Sequence, residues 1–459
     1  MSVLSYEARK SQPQRALIVS LLALAVPIVV ENMLHMMVGL TDVFLASHLP
    51  TDAPAATAAV GNVSYILWLI GLVAGAIGVG STAIISRAVG ARHNSLANSV
   101  CGQSVTASIL TGSILAGLFI LLAVPIAKLT QLQGSAYTYT LFYIRILSLS
   151  LPFSVLMYAA GACLRGAGDS VTPAIALIIV DLINMGFSGA LARGWFGLPV
   201  MGFRGIAIGT IIAYVCGGFV MFGVLLSGRG KLRLYSHRLR PHWTTLKRIF
   251  RIGIPSGTET LLTWIAQFLV IMVINHADST SVMAAAHIIA VRVEALSYMI
   301  GFGIATAAAT LVGQSLGMND PDRARRSAYL AYAVGGGIMS IGSIVFILFG
   351  STLAHVMTND EHVAQLAATC LFITAFTQPG FAAAIIFAGA LRGAGDTIWV
   401  MVLNLATVVG IRLAGAIIVG YYLKLGLAAI WIVLATELSI RGTLVFLRFF
   451  HGGWRHARV

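Results

Sequence analysis

Apolar residues run along this chain in long, nearly unbroken blocks, and the polar positions fall between them. A membrane-spanning helix needs about 20 mostly apolar residues. Stretches of that kind lie near 16–48, 57–86, 98–126, 136–162, 171–192, 203–227, 249–274, 282–312, 326–350, 363–390, 397–422 and 426–449. The first is too long and too apolar on its far side for a cleaved signal peptide. The pattern predicts an all-α integral membrane protein with twelve transmembrane helices.

Composition agrees. Of the 459 residues, 58% are hydrophobic and 10% charged, against about a quarter charged in a globular chain. Such a chain lacks the polar surface to stay dissolved. Its formal charge is +14, which in a soluble protein points to nucleic acid. Here the placement of the positives matters more than their sum, and no nucleic-acid partner is expected. The four cysteines (Cys101, Cys163, Cys216, Cys370) are scattered, which suits small apolar packers better than disulfides or a metal cluster.

Basic residues mark cytoplasmic loops. The segment 228–251 holds Arg229, Lys231, Arg233, Arg238, Arg240, Lys247, Arg248 and Arg251 with no acid. Arg9, Lys10 and Arg15 precede the first span, and Arg441, Arg448, Arg455 and Arg458 close or follow the last. If all three regions are cytoplasmic, an even number of spans separates each from the next, and six plus six satisfies this. On that topology 22 of the 29 positives lie inside, four outside (Lys128, Arg193, Arg204, Lys424) and three within spans (Arg145, Arg292, Arg412). Both termini are expected in the cytoplasm.

The chain also repeats itself at an offset of 227–228 residues. Leu164-Arg165-Gly166-Ala167-Gly168-Asp169 recurs as Leu391-Arg392-Gly393-Ala394-Gly395-Asp396, Pro152 as Pro379, and Pro27 with Glu31 as Pro255 with Glu259. Duplication of a six-helix unit explains these matches. Two copies entering from the same side are expected to be related by a pseudo-two-fold along the membrane normal. The expected division is an amino-terminal lobe at 1–227, a basic linker at 228–250 and a carboxy-terminal lobe at 251–459.

Little chemistry fits an enzyme. The chain holds neither a nucleotide-binding G-x-x-x-x-G-K-[ST] nor an H-E-x-x-H motif, and no cofactor is expected. The GAGD tetrapeptide fits intramembrane aspartyl proteases, but it occurs twice, each time just after an arginine at an inner loop. A glycine-rich turn explains it better, with Arg165–Asp169 and Arg392–Asp396 as local ion pairs.

Acids at bilayer depth are functional candidates by default. They are Glu31, Asp42, Asp181, Glu259, Glu294 and Glu437. Glu31 and Asp42 share nearly one face of the first span, about 16 Å apart along its axis, with His35, Met36 and Met37 between them. Asp181, Asn184 and Ser188 form a second polar stripe. Glu437 has Arg441 four residues on, as a local partner. Glu31 and Glu259 are duplicated, so a scaffold role competes with a functional one. Asp42 and Asp181 have no acidic twin, since Val270 and Val408 stand at the matching positions; acids confined to one lobe suit function better.

These residues together resemble the multidrug and toxic compound extrusion (MATE) family over nearly the whole chain. The carriers are Pro27-Ile-Val-Val-Glu31 with Leu40-Thr-Asp42, the duplicated LRGAGD, Gln378-Pro379, Gly253-Ile-Pro255 with Glu259, and Leu311-Val-Gly313-Gln314. The resemblance implies a two-lobed antiporter that expels cationic amphipathic compounds using a proton or sodium gradient. It implies a cation-coupling site of Asp42, Asn184 and Thr210. The family's further fifth-helix aspartate is Ser188 here, and Asp181, one turn before Asn184, is the candidate to take its place. The acids of the NorM-like branch fall near Thr263 and Phe381 and are missing, with Glu259 one turn from the first. The pattern is therefore closer to the DinF-like branch and to proton coupling through Asp42.

Met33, Met36 and Met37 beside Asp42 are candidates for a polarisable cavity lining, with packing or lipid contact as the alternative. Glu31, His35, Glu259, Thr263 and Gln378 complete the expected substrate cavity. The expected setting is a bacterial inner membrane, with the chain active as a monomer and small cationic molecules and lipid as partners. One rival is a lipid-linked sugar exporter of the same superfamily, which calls for a strongly basic cavity. A passive channel is the other, and it calls for a pore-lining ring from several subunits.

Overall fold

A computed structural model describes residues 14–228, 232–278 and 280–457. Arg9, Lys10, Arg229, Lys231 and Arg458 of the charge pattern lie outside the described residues. The architecture is all-helical. In chain order the helices are α1 (Gln14–Ser47), α2 (Ala53–Gly90), α3 (Asn94–Leu121), α4 (Gly134–Ala167), α5 (Val171–Arg193), α6 (Phe203–Ser227), α7 (Trp243–Ala277), α8 (Val282–Gly317), α9 (Pro321–Met357), α10 (Glu361–Ala375), α11 (Gln378–Gly393), α12 (Thr397–Tyr422) and α13 (Gly426–His451). Among the described residues, eleven helices are long and apolar enough to cross a bilayer. α10 and α11 make a twelfth span, bent by 61°.

The bend has a local cause. Pro379 stands in the first turn of α11 and has no N–H to continue α10. Thr377 ties off the preceding turn, its N–H and its hydroxyl donating to the Thr374 carbonyl at 3.0 and 2.9 Å. The duplicated Pro152 sits inside an unbroken α4, so the proline alone does not break the span.

The helices group into two compact units. Of the described residues, one unit holds those from Val30 to Gly253; the other holds Gln14 to Val29 together with those from Ile254 onward. The linker is thus built into the first unit, and the first half of α1 belongs to the second. In the first, amino-terminal unit α4 is the central helix, packed on α2, α3 and α6; its Leu147, Leu151, Val155 and Leu164 are buried. In the second, α8 packs on α9 and α11, and α11 on α13. Leu21, Leu24, Ala25 and Ile28 of α1 join Ile304, Ala305 and Ala308 of α8 in that core.

Each LRGAGD segment forms the tight turn that glycine makes possible. Gly168 and Gly395 take φ of 89° and 84°, in the left-handed region where a Cβ is penalised. The Gly168 N–H donates to the Arg165 carbonyl and that of Asp169 to Leu164, both at 2.9 Å; Gly395 and Asp396 repeat the pattern with Arg392 and Leu391. This satisfies carbonyls that a helix end leaves open.

Candidate functional site

The site grows from a close helix approach in the amino-terminal unit. A Cβ on Gly209 of α6 would collide with Ser188 of α5. The missing side chain lets the helices touch, and this brings Asn184 and Ser188 against Thr210. α1 supplies Asp42 and α4 supplies Tyr143. The Asp42 carboxylate is buried and held by three neutral donors. Tyr143 and Thr210 hydroxyls donate to its Oδ2 at 2.7 Å each, and Asn184 Nδ2 donates to Oδ1 at 3.2 Å. The Asn184 amide also reaches Thr210 Oγ1 at 3.1 Å and Ser188 Oγ at 3.3 Å. Asp42, Asn184, Ser188 and Thr210 are therefore brought together as the sequence suggested.

Counting hydrogens shows what this cluster can do. The Thr210 hydroxyl has one proton but two acceptors, Asp42 Oδ2 and the Ile206 carbonyl at 3.0 Å. With Asp42 ionised, Thr210 donates to it. With Asp42 protonated, the carboxyl donates to Thr210, which turns its own proton to Ile206. Asn184 Oδ1 is buried without a partner, so a turned amide offers the single carboxyl proton an alternative acceptor to Thr210. Buried polar groups need partners, and the Asp42 carboxyl finds them in both protonation states with only local rotations.

Three other deep acids are built differently, each paired with arginine; Glu294, like Asp42, has only neutral donors, Thr374 and Gln378. Glu31 meets Arg165 at 2.5 Å, Glu259 meets Arg392 at 2.6 Å, and Glu437 meets Arg412 at 2.7 Å with Arg441 at 3.3 Å. Asn404 also donates to Glu259. The local ion pairs expected at the two turns do not form. Arg165 and Arg392 instead reach the duplicated glutamates, whose opposite charge lies deeper in the bundle. Asp169 caps the next helix through Thr172, accepting its N–H at 3.0 Å and its hydroxyl at 2.7 Å, and Asp396 pairs with Arg448 at 2.9 Å. In the register that pairs Asp181 with Val408, Asn184 corresponds to Ile411, next to Arg412, and Thr210 to Glu437, while Asp42 corresponds to Val270. Where the amino-terminal unit holds a lone carboxylate among neutral donors, the other unit holds a closed ion pair.

Asp181 does not join the Asp42 cluster, and both its carboxylate oxygens are buried without hydrogen-bond partners. His35 stacks on Tyr158 with ring centres 4.8 Å apart and lies 3.9 Å from Glu31. These three residues border a small crevice, about large enough for one water molecule, together with Met157, Leu177 and Met221. Met33, Met36 and Met37 are exposed on α1 and do not line it. In the carboxy-terminal unit the Thr263 hydroxyl donates to the Glu259 carbonyl at 2.8 Å. Gln378 is buried, accepting from Ser297 at 2.7 Å and donating to Glu294 at 3.3 Å, while Thr374 donates to Glu294 at 2.5 Å. Tyr143, Thr374 and the partners of Arg165 and Arg392 had no signature in the sequence.

Two units of membrane-spanning helices, with a buried carboxylate set among hydroxyls and an amide in one of them, define a multi-pass transporter fold. The MatE family profile matches residues 27–188 and 255–435, and the chain belongs to that family. It is 32% identical over 448 residues to a probable multidrug resistance protein NorM of Thermotoga maritima, covering 96% of this chain and 93% of the relative. It is 25% identical to a probable multidrug resistance protein YoeA of Bacillus subtilis, covering 95% and 93%. A crystal structure described as MATE in the bent conformation superposes with a TM-score of 0.87 at 21% identity, covering 95% of this chain and 96% of the other. An outward-facing multidrug resistance MATE family transporter gives 0.84 at 21% identity, with coverage of 95% and 96%. At these identities the two structures speak to fold alone.

Proposed function

We propose that this protein is a secondary active antiporter of a bacterial inner membrane, exporting cationic amphipathic compounds in exchange for protons, with both termini in the cytoplasm. The observation that supports this reading is the contrast between Asp42 and the arginine-paired acids. A charge at bilayer depth costs several kcal/mol unless compensated. Glu31, Glu259 and Glu437 are compensated permanently, whereas Asp42 has only neutral donors that serve either protonation state. The relatives' names support drug-like small molecules as substrates, and an acidic site suits cationic ones.

In this mechanism an outward-open state exposes Asp42 to protons. Protonation turns Thr210 toward Ile206, removes the negative charge and releases a bound cation. An inward-open state lets the proton leave, and the restored carboxylate attracts the next cation. The membrane potential adds about 2.3 kcal/mol per charge per 100 mV, besides the pH gradient. Asn184, Ser188 and Thr210 arrange hydrogen bonds around Asp42. This wiring, with no acid at Thr263 or Phe381, favours a DinF-like mode of coupling. Asp42, Asn184, Ser188 and Thr210 also carry the oxygens a sodium ion would need.

The test uses purified protein in liposomes loaded with a cationic dye. An imposed pH gradient without sodium is predicted to drive dye movement, and a sodium gradient at equal pH is not. Movement with sodium alone would reassign the coupling ion, and movement with neither would sink the antiporter reading. A sugar exporter would want a strongly basic cavity, but Arg412 is consumed by Glu437 and the other two span arginines, Arg145 and Arg292, lie on exposed helix faces.

A further inference from the structure

The basic segment between the two halves is not a loose tether. Gln103 of α3 clamps it, donating from Nε2 to the carbonyls of Arg238 and Arg240 at 2.8 Å each and accepting the His242 N–H at 2.7 Å. Thr106 adds a bond to the Leu239 carbonyl at 2.8 Å, and Asn98 accepts the Arg233 N–H at 2.9 Å. Leu232 and Leu234 are buried. From Leu232 on, the segment is a strap whose backbone is fixed to the amino-terminal unit.

The strap leads directly into α7, whose first turns divide cleanly. Leu246, Ile249 and Gly253 face the protein: the two large residues are buried, and Gly253 packs on the Ala76 carbonyl. Trp243, Lys247 and Arg251 recur at i, i+4 and i+8 and are exposed, Trp243 at 77%. Together with the exposed Arg240, these cations take part in no ion pair among the described residues. No acidic residue occurs in the sequence between Asp181 and Glu259.

Depth points to the partner. α7 has 35 residues, about 52 Å at 1.5 Å each, whereas the hydrocarbon core is about 30 Å thick. Its first turns therefore stand at the level of the lipid headgroups, where tryptophan is enriched and basic clusters attract anionic lipid.

We propose that Arg240, Trp243, Lys247 and Arg251 form a binding site for the phosphodiester headgroup of an anionic phospholipid. Trp243 rests at the interface, and the three cations meet the phosphate from the strap and from one face of α7. Each cation near an anionic surface is worth about a fivefold change in affinity, so removing three weakens binding on the order of a hundredfold.

The test measures lipid retention and melting temperature of the full-length protein, and neither readout depends on what Asp42 does. In detergent, added phosphatidylglycerol is expected to stay bound in native mass spectrometry and to raise the melting temperature, whereas phosphatidylcholine is not. The variant Arg240→Gln/Lys247→Gln/Arg251→Gln should lose both effects while melting normally in phosphatidylcholine. If it does not fold, Lys247→Gln/Arg251→Gln serves instead, with an expected loss of roughly 25-fold on the same scale. The control Lys128→Gln/Lys424→Gln, with charges elsewhere, should behave as wild type. Equal retention of phosphatidylglycerol by wild type and the strap variant would overturn the proposal. So would equal response to both lipids, or tighter binding of a short DNA duplex than of the lipid.

Discussion

The hydroxyl of Tyr143 stands 2.7 Å from the carboxylate of Asp42, and both side chains are buried. The phenol donates to the ionised acid, so it favours that form. A hydrogen bond to a charged group contributes about 1.5–3 kcal/mol, equivalent to about one to two pH units. Tyr143→Phe leaves the ring in place and removes only the donor. Losing it favours the protonated form, and a higher pH is then needed to empty the site. The pH profile of dye export should move in the alkaline direction by about that amount. An unchanged profile would show that Tyr143 plays no part in setting the proton affinity.

Glu437 lies between two arginines, Arg412 at 2.7 Å and Arg441 at 3.3 Å. Removing the acid strands two buried guanidinium groups, whereas removing Arg412 leaves a balanced Glu437–Arg441 pair. Breaking a buried pair from one side costs about 3–5 kcal/mol. Glu437→Gln should therefore lower the melting temperature clearly more than Arg412→Met, as measured by thermal unfolding in one detergent. The reverse order would contradict the assignment of Glu437 as the shared counter-charge.

The spans, the glycine turns and the stripe of Asn184 and Ser188 were legible in the chain, because each leaves a local trace: an apolar block, a repeated tetrapeptide, a polar stripe at helical spacing. The grouping of Asp42 with Asn184 and Thr210 came from the family resemblance. Partners distant in sequence left none. Arg165 reaches Glu31 across 134 positions, and sequence proximity pointed to Asp169 instead. Tyr143 was hidden for a related reason: a tyrosine in an apolar span reads the same whether it packs, meets headgroups or donates to an acid. Asp181 shares its helix face with Asn184, yet one turn of displacement leaves it outside the hydrogen bonds of Asp42. The division of α1 between two units was invisible too, since the apolar block runs through Val29 and Val30 without a break.

The central claim is that Asp42 carries the coupling proton, and Asp42→Asn in proteoliposomes tests it most directly. The amide keeps the size and much of the hydrogen bonding of a protonated carboxyl but cannot titrate. With dye binding confirmed for the purified variant, a pH gradient should drive export by the wild type and produce none by the variant. Export by Asp42→Asn at the wild-type rate under the same gradient would contradict the account.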